Sequence, residues 1–344
     1  MNPPISTLLT QRLPEAAANT AEQRVLHTSP EPYALITDSD VHRALTRDPQ
    51  GYFSHMLDSL QAIASGSSTV EMPPKQLFSD PGAQSDFRIM PCVVRSASGT
   101  LKTVKLVGTN TLQYTVPDQI TVGKALIIDS RENYITHIVD ACLLSSARTG
   151  LCAALAIRLL ATRHDHVTVI GSGRVGYYAA FYAAATCGIR KIIFTDCVPD
   201  KAADAAAALR VRFPDIECNV AAMAQLPATD VVVLATTSLQ PVCSPPAWHA
   251  GLIISLGADI DHQSELDPAW ATAADIYVDT LDTARFGDLK TWITQGRLDP
   301  GSIRDFGAML KTDVTTGDRC RLFVSTGSAL FDNLTLNYLL QQPA

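Results

Sequence analysis

"VTVIGSGRVGYYAAFYAAATCG", residues 167–188, sets a short apolar run against a glycine turn and then an alanine-rich stretch. A Val/Ile run ended by glycines and followed by good helix formers reads as strand, tight turn and helix. The turn is a G-x-G-x-x-G. Gly171 permits the sharp bend, Gly173 lets backbone approach a pyrophosphate, and Gly176 lets the helix pack on the strand. Ser172, Arg174 and Val175 fill the positions between, and the free N–H groups of the helix start would face the phosphates. Asp196 closes the next apolar run, "KIIFTD". A carboxylate there accepts hydrogen bonds from the ribose hydroxyls and repels a 2′-phosphate, so it favours NAD over NADP. Its other reading is a cap for the helix "PDKAADAAAAL", a role open to Asp200 as well. Arg174, a base within the loop, pulls the other way, toward a phosphate.

Working outward, apolar runs alternate with helical stretches: "HVTVIG", "KIIFTD", "CNVAA", "DVVVLAT", "GLIISLGA", "DIYVDT". Strands that are continuously Val/Ile/Leu-rich and separated by helices predict a parallel sheet covered on both faces. The expected class is α/β: a Rossmann-type, doubly wound NAD-binding domain over 146–317. The long helical stretch "CLLSSARTGLCAALAIRLLA" leads into it. Before it, residues 1–145 look like an α+β substrate-binding and dimerisation domain, completed by 318–344. Residues 37–66 have helical spacing, with Asp38 or Ser39 as a cap and Gly66 as a stop. "STVEMPPKQ", "FRIMPCVV", "TVKLVGT" and "KALIIDS" read as strands. The end, "CRLFVSTGSALFDNLTLNYLLQQ", reads as strand, glycine turn and amphipathic helix. Residues 1 to about 35, rich in Pro, Thr and Glu, read as a loosely held arm.

The chain has 344 residues, 47% of them hydrophobic, and a net charge of −7 without basic blocks, which argues against nucleic acid. No secretory leader and no membrane-length apolar run is read, and the 8 cysteines show no C-x-x-C pair. They are expected to be reduced thiols of a cytoplasmic protein. No metal site is expected; His164 and His166, flanking Asp165, read as surface or capping groups.

"RIMPCVV" (88–94), "VKLVG" (104–108), "SSARTGLCAALA" (145–156) and "SLGADIDHQSELDP" (255–268) surround the glycine turn in order, and "VSTGSALFDN" (324–333) follows. In this combination the chain resembles the ornithine cyclodeaminase/mu-crystallin family over nearly its whole length. The resemblance implies a homodimeric, NAD-linked enzyme that acts on the C–N bond of amino acids or their imines. It also implies roles. Lys105 and Asp259 would be catalytic, Asp259 as the acid/base; Lys75, Arg88 and Arg148 would bind substrate. Thr236, Thr237 and Gly257, at the ends of later strands, would complete the cofactor contacts.

Elementary chemistry agrees in part. An amino-acid carboxylate needs cations, a lysine among apolar neighbours is costly unless paired, and an arginine fork suits bidentate capture. Ion pairs at a domain seam or solvated surface cations are the plainer readings of Lys75, Lys105 and Arg148. Asp261, Glu265 and Asp267 read as ordinary turn carboxylates, and His262 as a loop histidine or a proton carrier. Where the cyclodeaminase pattern has a glutamate for a distal amine, this chain has Arg88, which would repel a diamine and welcome a second carboxylate. The "PPK…SDP" spacing is similar to the family branch that releases diaminopropionate from N-carboxyethyl amino acids. The alternatives are a cyclodeaminase with tightly held NAD and a non-catalytic cofactor- and ligand-binding protein.

Overall fold

The computed structural model describes residues 20–80, 85–245, 250–260, 263–311 and 319–342. Residues 1–33 form a unit of their own, whose described part holds one short helix, Ala21–Val25. Residues 34–344 form the other unit and carry both sheets. Asp261 and His262 lie outside the described residues.

The first sheet contains β1 (Ala34–Ile36), β2 (Thr69–Glu71), β3 (Gln76–Asp80), β4 (Ser85–Ser96), β5 (Gly99–Thr109), β6 (Thr121–Ile128) and β7 (Ile135–Asp140). Its order is β1-β7-β6-β5-β4-β2, with β3 also paired to β4; only β1 and β7 run parallel. One cross-strand row, Met90, Lys105, Ala125 and Val139, is buried. The neighbouring row on the opposite face, Pro91, Val104, Leu126, Ile138 and Leu35, is also apolar yet half-buried to exposed. Side chains alternate across a strand, so apolar residues on both faces mean two packed surfaces. The described residues of this unit leave the second one partly open.

The reading of 37–66 as one helix needs a break. Two helices form, Asp38–Arg47 and Pro49–Ala64. Thr37, not Asp38 or Ser39, caps the first, in a capping box with Asp40. Asp48 caps the second, with Pro49 in its first turn, where a missing N–H costs nothing.

The second sheet is wholly parallel: β8 (His166–Ile170), β9 (Lys191–Thr195), β10 (Glu217–Val220), β11 (Val231–Leu234), β12 (Leu252–Ser255), β13 (Ala274–Val278) and β14 (Cys320–Val324), in the order β10-β9-β8-β11-β12-β14-β13. Strand order reverses between β8 and β11, which is where open α/β sheets gather ligands, beyond the carboxyl ends of the strands. Residues 318–344, read together as completing the first half, divide. β14 lies in the second sheet, and the helix Ala329–Leu340 packs on β4 and β5. That helix is not amphipathic, since its residues are buried apart from Asn337 and Leu340.

The helix Ala141–Leu160 joins the two sheets. Against the reading of the sequence, it is long and apolar enough to cross a membrane by composition, but 78% of that apolar window is buried inside the fold. It packs closely on the helix Arg174–Thr186 at Gly150, where a Cβ would lie 2.5 Å from Tyr178 backbone. Gly150→Ala is therefore expected to cost about 1–3 kcal/mol through forced separation of the two helices, measured by urea denaturation. Unchanged stability would mean that the helix pair yields freely.

Candidate functional site

The glycine turn has the geometry its sequence requires. Gly171 sits at φ +92°, and a Cβ there would lie 2.4 Å from Ala235 O. At Gly176 it would lie 2.0 Å from Gly171 O. A Cβ at Gly173, in contrast, would meet no atom within 4 Å. The turn thus has a filled side and an open side. Gly173 N-caps the helix Arg174–Thr186 with no side chain bonded to its first turn, which leaves those donors for an anion. Asp196, past β9, accepts from Ser172 N at 2.7 Å and Val198 N at 2.9 Å. It ties the glycine turn to the next loop. Arg174 and Val175 open the helix, Arg174 exposed.

Beyond β11 and β12 one residue organises the loops, and it is not one of those singled out. Glu265, read as an ordinary turn carboxylate, is fully buried. It accepts from Thr236 N and Oγ1 at 2.6 and 2.9 Å, Ser255 Oγ at 2.7 Å and Gly257 N at 2.9 Å. Burial raises its pKa above the ordinary carboxylate range against those four donors. Its own N–H donates to Asp288, itself mostly buried. The expected cofactor contacts Thr236 and Gly257 are thus held by one carboxylate, with Thr237 next to them. Asp267 is a turn carboxylate as read, accepting from Ala269 N.

The four basic residues converge from distant parts of the chain. Lys105 on β5 and Arg148 on Ala141–Leu160 meet Asp332, from the last helix. Lys105 Nζ lies 2.8 and 2.7 Å from the Asp332 oxygens, and Arg148 Nε donates to Oδ1 at 2.9 Å. Lys105 Nζ also donates to Ser145 Oγ at 3.3 Å. All three charged side chains are buried. Burial pushes the Lys105 ammonium down to about 7 despite Asp332, whereas for Arg148 burial is the largest single influence but Asp332, Cys152 and Asp279 together outweigh it and the pKa rises. Gly327, past β14 at φ +85°, lets the Arg148 head lie close: a Cβ there would be 2.9 Å from Nη2.

Lys75, between β2 and β3, donates from Nζ to Thr326 O at 2.7 Å and stands 3.7 Å above the Phe286 ring centroid. It forms no ion pair with a described residue, and burial pushes it down to about 8. Arg88 on β4 is differently placed. Its Nε and Nη2 donate to Asp86 at 3.0 and 3.1 Å, and its Nη1 donates to Asp259 at 2.5 Å. The fork expected to await a second substrate carboxylate is already held by two protein carboxylates. Asp259 lies past β12, its side chain one-third exposed. Burial alone would raise its pKa; Arg88, then Lys75 and Arg148, more than reverse that and lower it.

Charge is therefore unevenly spread. Arg88 has two carboxylates, Lys105 and Arg148 share one, and Lys75 has none in ion-pair contact, although Asp259 and Asp279 attract it from further off. Asp279, past β13, is buried but satisfied by Ser325 Oγ, Thr283 Oγ1 and Thr280 N rather than by a cation. A buried surplus of cations is unfavourable until an anion joins it. Among the described residues, no group of three or more His, Cys, Asp or Glu could hold a metal ion.

A wholly parallel sheet with an open glycine turn at its switch point defines an α/β protein of the dinucleotide-binding type. Residues 35–338 match the model of the ornithine cyclodeaminase/mu-crystallin family, and the chain belongs to that family. It is 28% identical over 279 residues to L-lysine cyclodeaminase of Streptomyces rapamycinicus, covering 79% of this chain and 80% of that one. It is 27% identical over 233 residues to Delta(1)-pyrroline-2-carboxylate reductase of Paracoccus denitrificans, covering 63% and 72%. Among solved structures, Delta(1)-pyrroline-2-carboxylate reductase of Thermococcus litoralis, in complex with NADH and L-proline, superposes with a TM-score of 0.78 at 19% identity, covering 89% of this chain and 95% of that one.

Asp332 was not singled out in the sequence, because it sits within an apolar helix far along the chain from its partners. Its removal should leave two buried cations uncompensated. Asp332→Asn is expected to lower unfolding free energy by about 3–5 kcal/mol in urea melts. A loss below about 1 kcal/mol would mean that Lys105 and Arg148 do not depend on it.

Proposed function

We propose that this protein is an NAD(H)-dependent oxidoreductase acting on the C–N bond of an amino acid or its imine. The observation that carries the reading is the convergence of three buried cations, Lys75, Lys105 and Arg148, with one directly paired carboxylate among them, on the side of the parallel sheet where the glycine turn opens. When bound, the dinucleotide supplies hydride exchange at its nicotinamide ring. Gly173 and the following N–H groups would hold the pyrophosphate, Asp196 the adenosine ribose, and Thr236, Thr237 and Gly257 the nicotinamide half. Lys105, Arg148 and Lys75 would grip the α-carboxylate and fix the reacting carbon against the ring, and such positioning supplies much of the rate. Lys105, with its lowered pKa, suits proton transfer near neutrality.

The likeness to L-lysine cyclodeaminase supports a second reading, release of ammonia from a diamine without net change in the cofactor. Arg88, held by Asp86 and Asp259, does not decide between the two readings. The eight free cysteines suit a reducing, cytoplasmic setting. A homodimer fits the half-open apolar row Pro91, Val104, Leu126, Ile138 and Leu35, which a second copy of the same sheet would cover. Sedimentation should show a dimer, and a monomer at micromolar concentration would refute that assembly.

The function is tested by following nicotinamide absorbance with Δ1-pyrroline-2-carboxylate, and with pyruvate plus ammonium or methylamine, in the presence of NADH. Consumption of NADH supports the oxidoreductase. Ammonia from lysine or ornithine without net NADH change would favour the cyclodeaminase. NADH binding without turnover of any of these would leave a binding protein. Pyruvate alone, a carboxylate without nitrogen, reports the cationic grip. Protonated Lys105 and Lys75 bind it, so inhibition should be full only well below the Lys105 value of about 7 and weaken as pH rises through the lysine values of about 7 and 8. The slope approaches roughly tenfold per pH unit for each lysine that must be protonated. A flat inhibition profile from pH 6 to 9 would contradict the assignment.

A further inference from the structure

The clamp on Asp259 assigns that residue a role different from the proton shuttle suggested by resemblance. We propose that Asp86 and Arg88 form a fixed tether that keeps Asp259 as a permanent carboxylate, and that this anion stabilises a cationic nitrogen of the substrate instead of carrying its proton. The inference rests on the proposed oxidoreductase reading and concerns the nitrogen end of the same site.

The geometry has three parts. Asp86 grips Arg88 side-on with both oxygens, at 3.0 and 3.1 Å, while Thr109 Oγ1 donates to Asp86 Oδ1 at 3.2 Å and fixes the carboxylate. A side-on pair leaves the Nη1 edge of the guanidinium pointing away, and it is this edge that meets Asp259 Oδ2 at 2.5 Å, with Nη2 3.4 Å from Oδ1. Both partners on β4 are almost closed off from water, with side-chain exposures of 10% for Arg88 and 7% for Asp86, while Asp259 keeps 34%. The buried side of Asp259 is therefore occupied by a cation, and its free side opens outward at the end of β12. The groups that most lower it are Arg88 from β4, Lys75 from the β2–β3 connection and Arg148 from the helix Ala141–Leu160, while the anion Asp86 shares Arg88 with it.

A carboxylate so placed resists taking up a proton, because doing so would give up its ion pair with Arg88 and weaken its attraction to Lys75 and Arg148. It can accept a hydrogen bond from a protonated C=N or an ammonium group. A protonated C=N is the electron-poor form that accepts hydride at carbon, the π pair passing to nitrogen. An anion beside the nitrogen favours that form over the neutral imine. The proton that is exchanged near neutrality then belongs to a lysine, with Lys105 the better placed by its lowered pKa. Asp86 and Arg88 are positioning residues in this scheme; Asp259 alone touches substrate.

The direct test labels aspartate carboxyl carbons with 13C and assigns Asp259 as the signal missing from Asp259→Asn. In the otherwise unaltered protein this signal should titrate below the ordinary aspartate value. In Arg88→Gln its midpoint should rise by at least one pH unit. Titration of wild-type Asp259 at or above the ordinary value would overturn the tether, as would an unmoved midpoint in Arg88→Gln. If Arg88→Gln fails to fold, the wild-type titration decides. None of these readouts needs turnover, so an inactive protein would defeat the proposed function while leaving the tether to be judged on its own. With Δ1-pyrroline-2-carboxylate and NADH, Asp259→Asn should lose at least a hundredfold in kcat while inhibition by pyruvate is kept or tightened. Undiminished kcat in Asp259→Asn would remove the nitrogen-side role.

Discussion

One buried carboxylate decides whether the cationic site exists. Asp332 reaches from the last helix to Lys105 on the first sheet and to Arg148 on the helix that joins the two sheets. A lone ammonium at the Lys105 position, 1% exposed, would be expelled or neutralised. Asp332 makes its burial tolerable without cancelling the charge, since one carboxylate serves two cations. The residual charge is the property a carboxylate substrate would use.

The same contact depends on how the last strand and helix are laid down. β14 completes the second sheet between β12 and β13, and Gly327 turns the backbone beside the Arg148 head. The helix Ala329–Leu340 then crosses to the first sheet, where Asn333 Nδ2 donates to Cys92 O, Leu101 O and Thr103 Oγ1. Strand, turn and helix place Thr326 under Lys75 and Asp332 between Lys105 and Arg148. Glu265 does comparable work on the other side, holding the loops after β11 and β12 together through four donors. Two buried acids thus shape the cationic cluster and the loops after β11 and β12.

Much of the architecture was legible in the sequence because it is written in local patterns. The seven parallel strands are short Val/Ile/Leu runs, and the glycine turn carries its own stereochemistry at Gly171 and Gly176. Asp196 stands where a strand end delivers it. What was not legible depends on long-range pairing. Lys105 and Asp332 are 227 residues apart, and nothing in "SALFDN" marks its acid as the partner of two distant cations. Glu265 looks like one acid among several in a loop, and only burial separates it from Asp267. Arg88 was read from its charge as a free substrate contact, yet Asp86, two residues away on the same strand face, holds it. The division of the region 37–66 at Asp48–Pro49 was available in principle, since an aspartate before proline is a strong helix-start signal.

A crystal structure of the protein with NADH and pyruvate tests the central claim most directly. The account requires the pyruvate carboxylate within hydrogen-bonding distance of Lys105, Arg148 or Lys75, with Asp332 still joined to the first two and the nicotinamide ring facing the bound keto carbon. Pyruvate lodged elsewhere, with those three side chains turned from the ring, would contradict it.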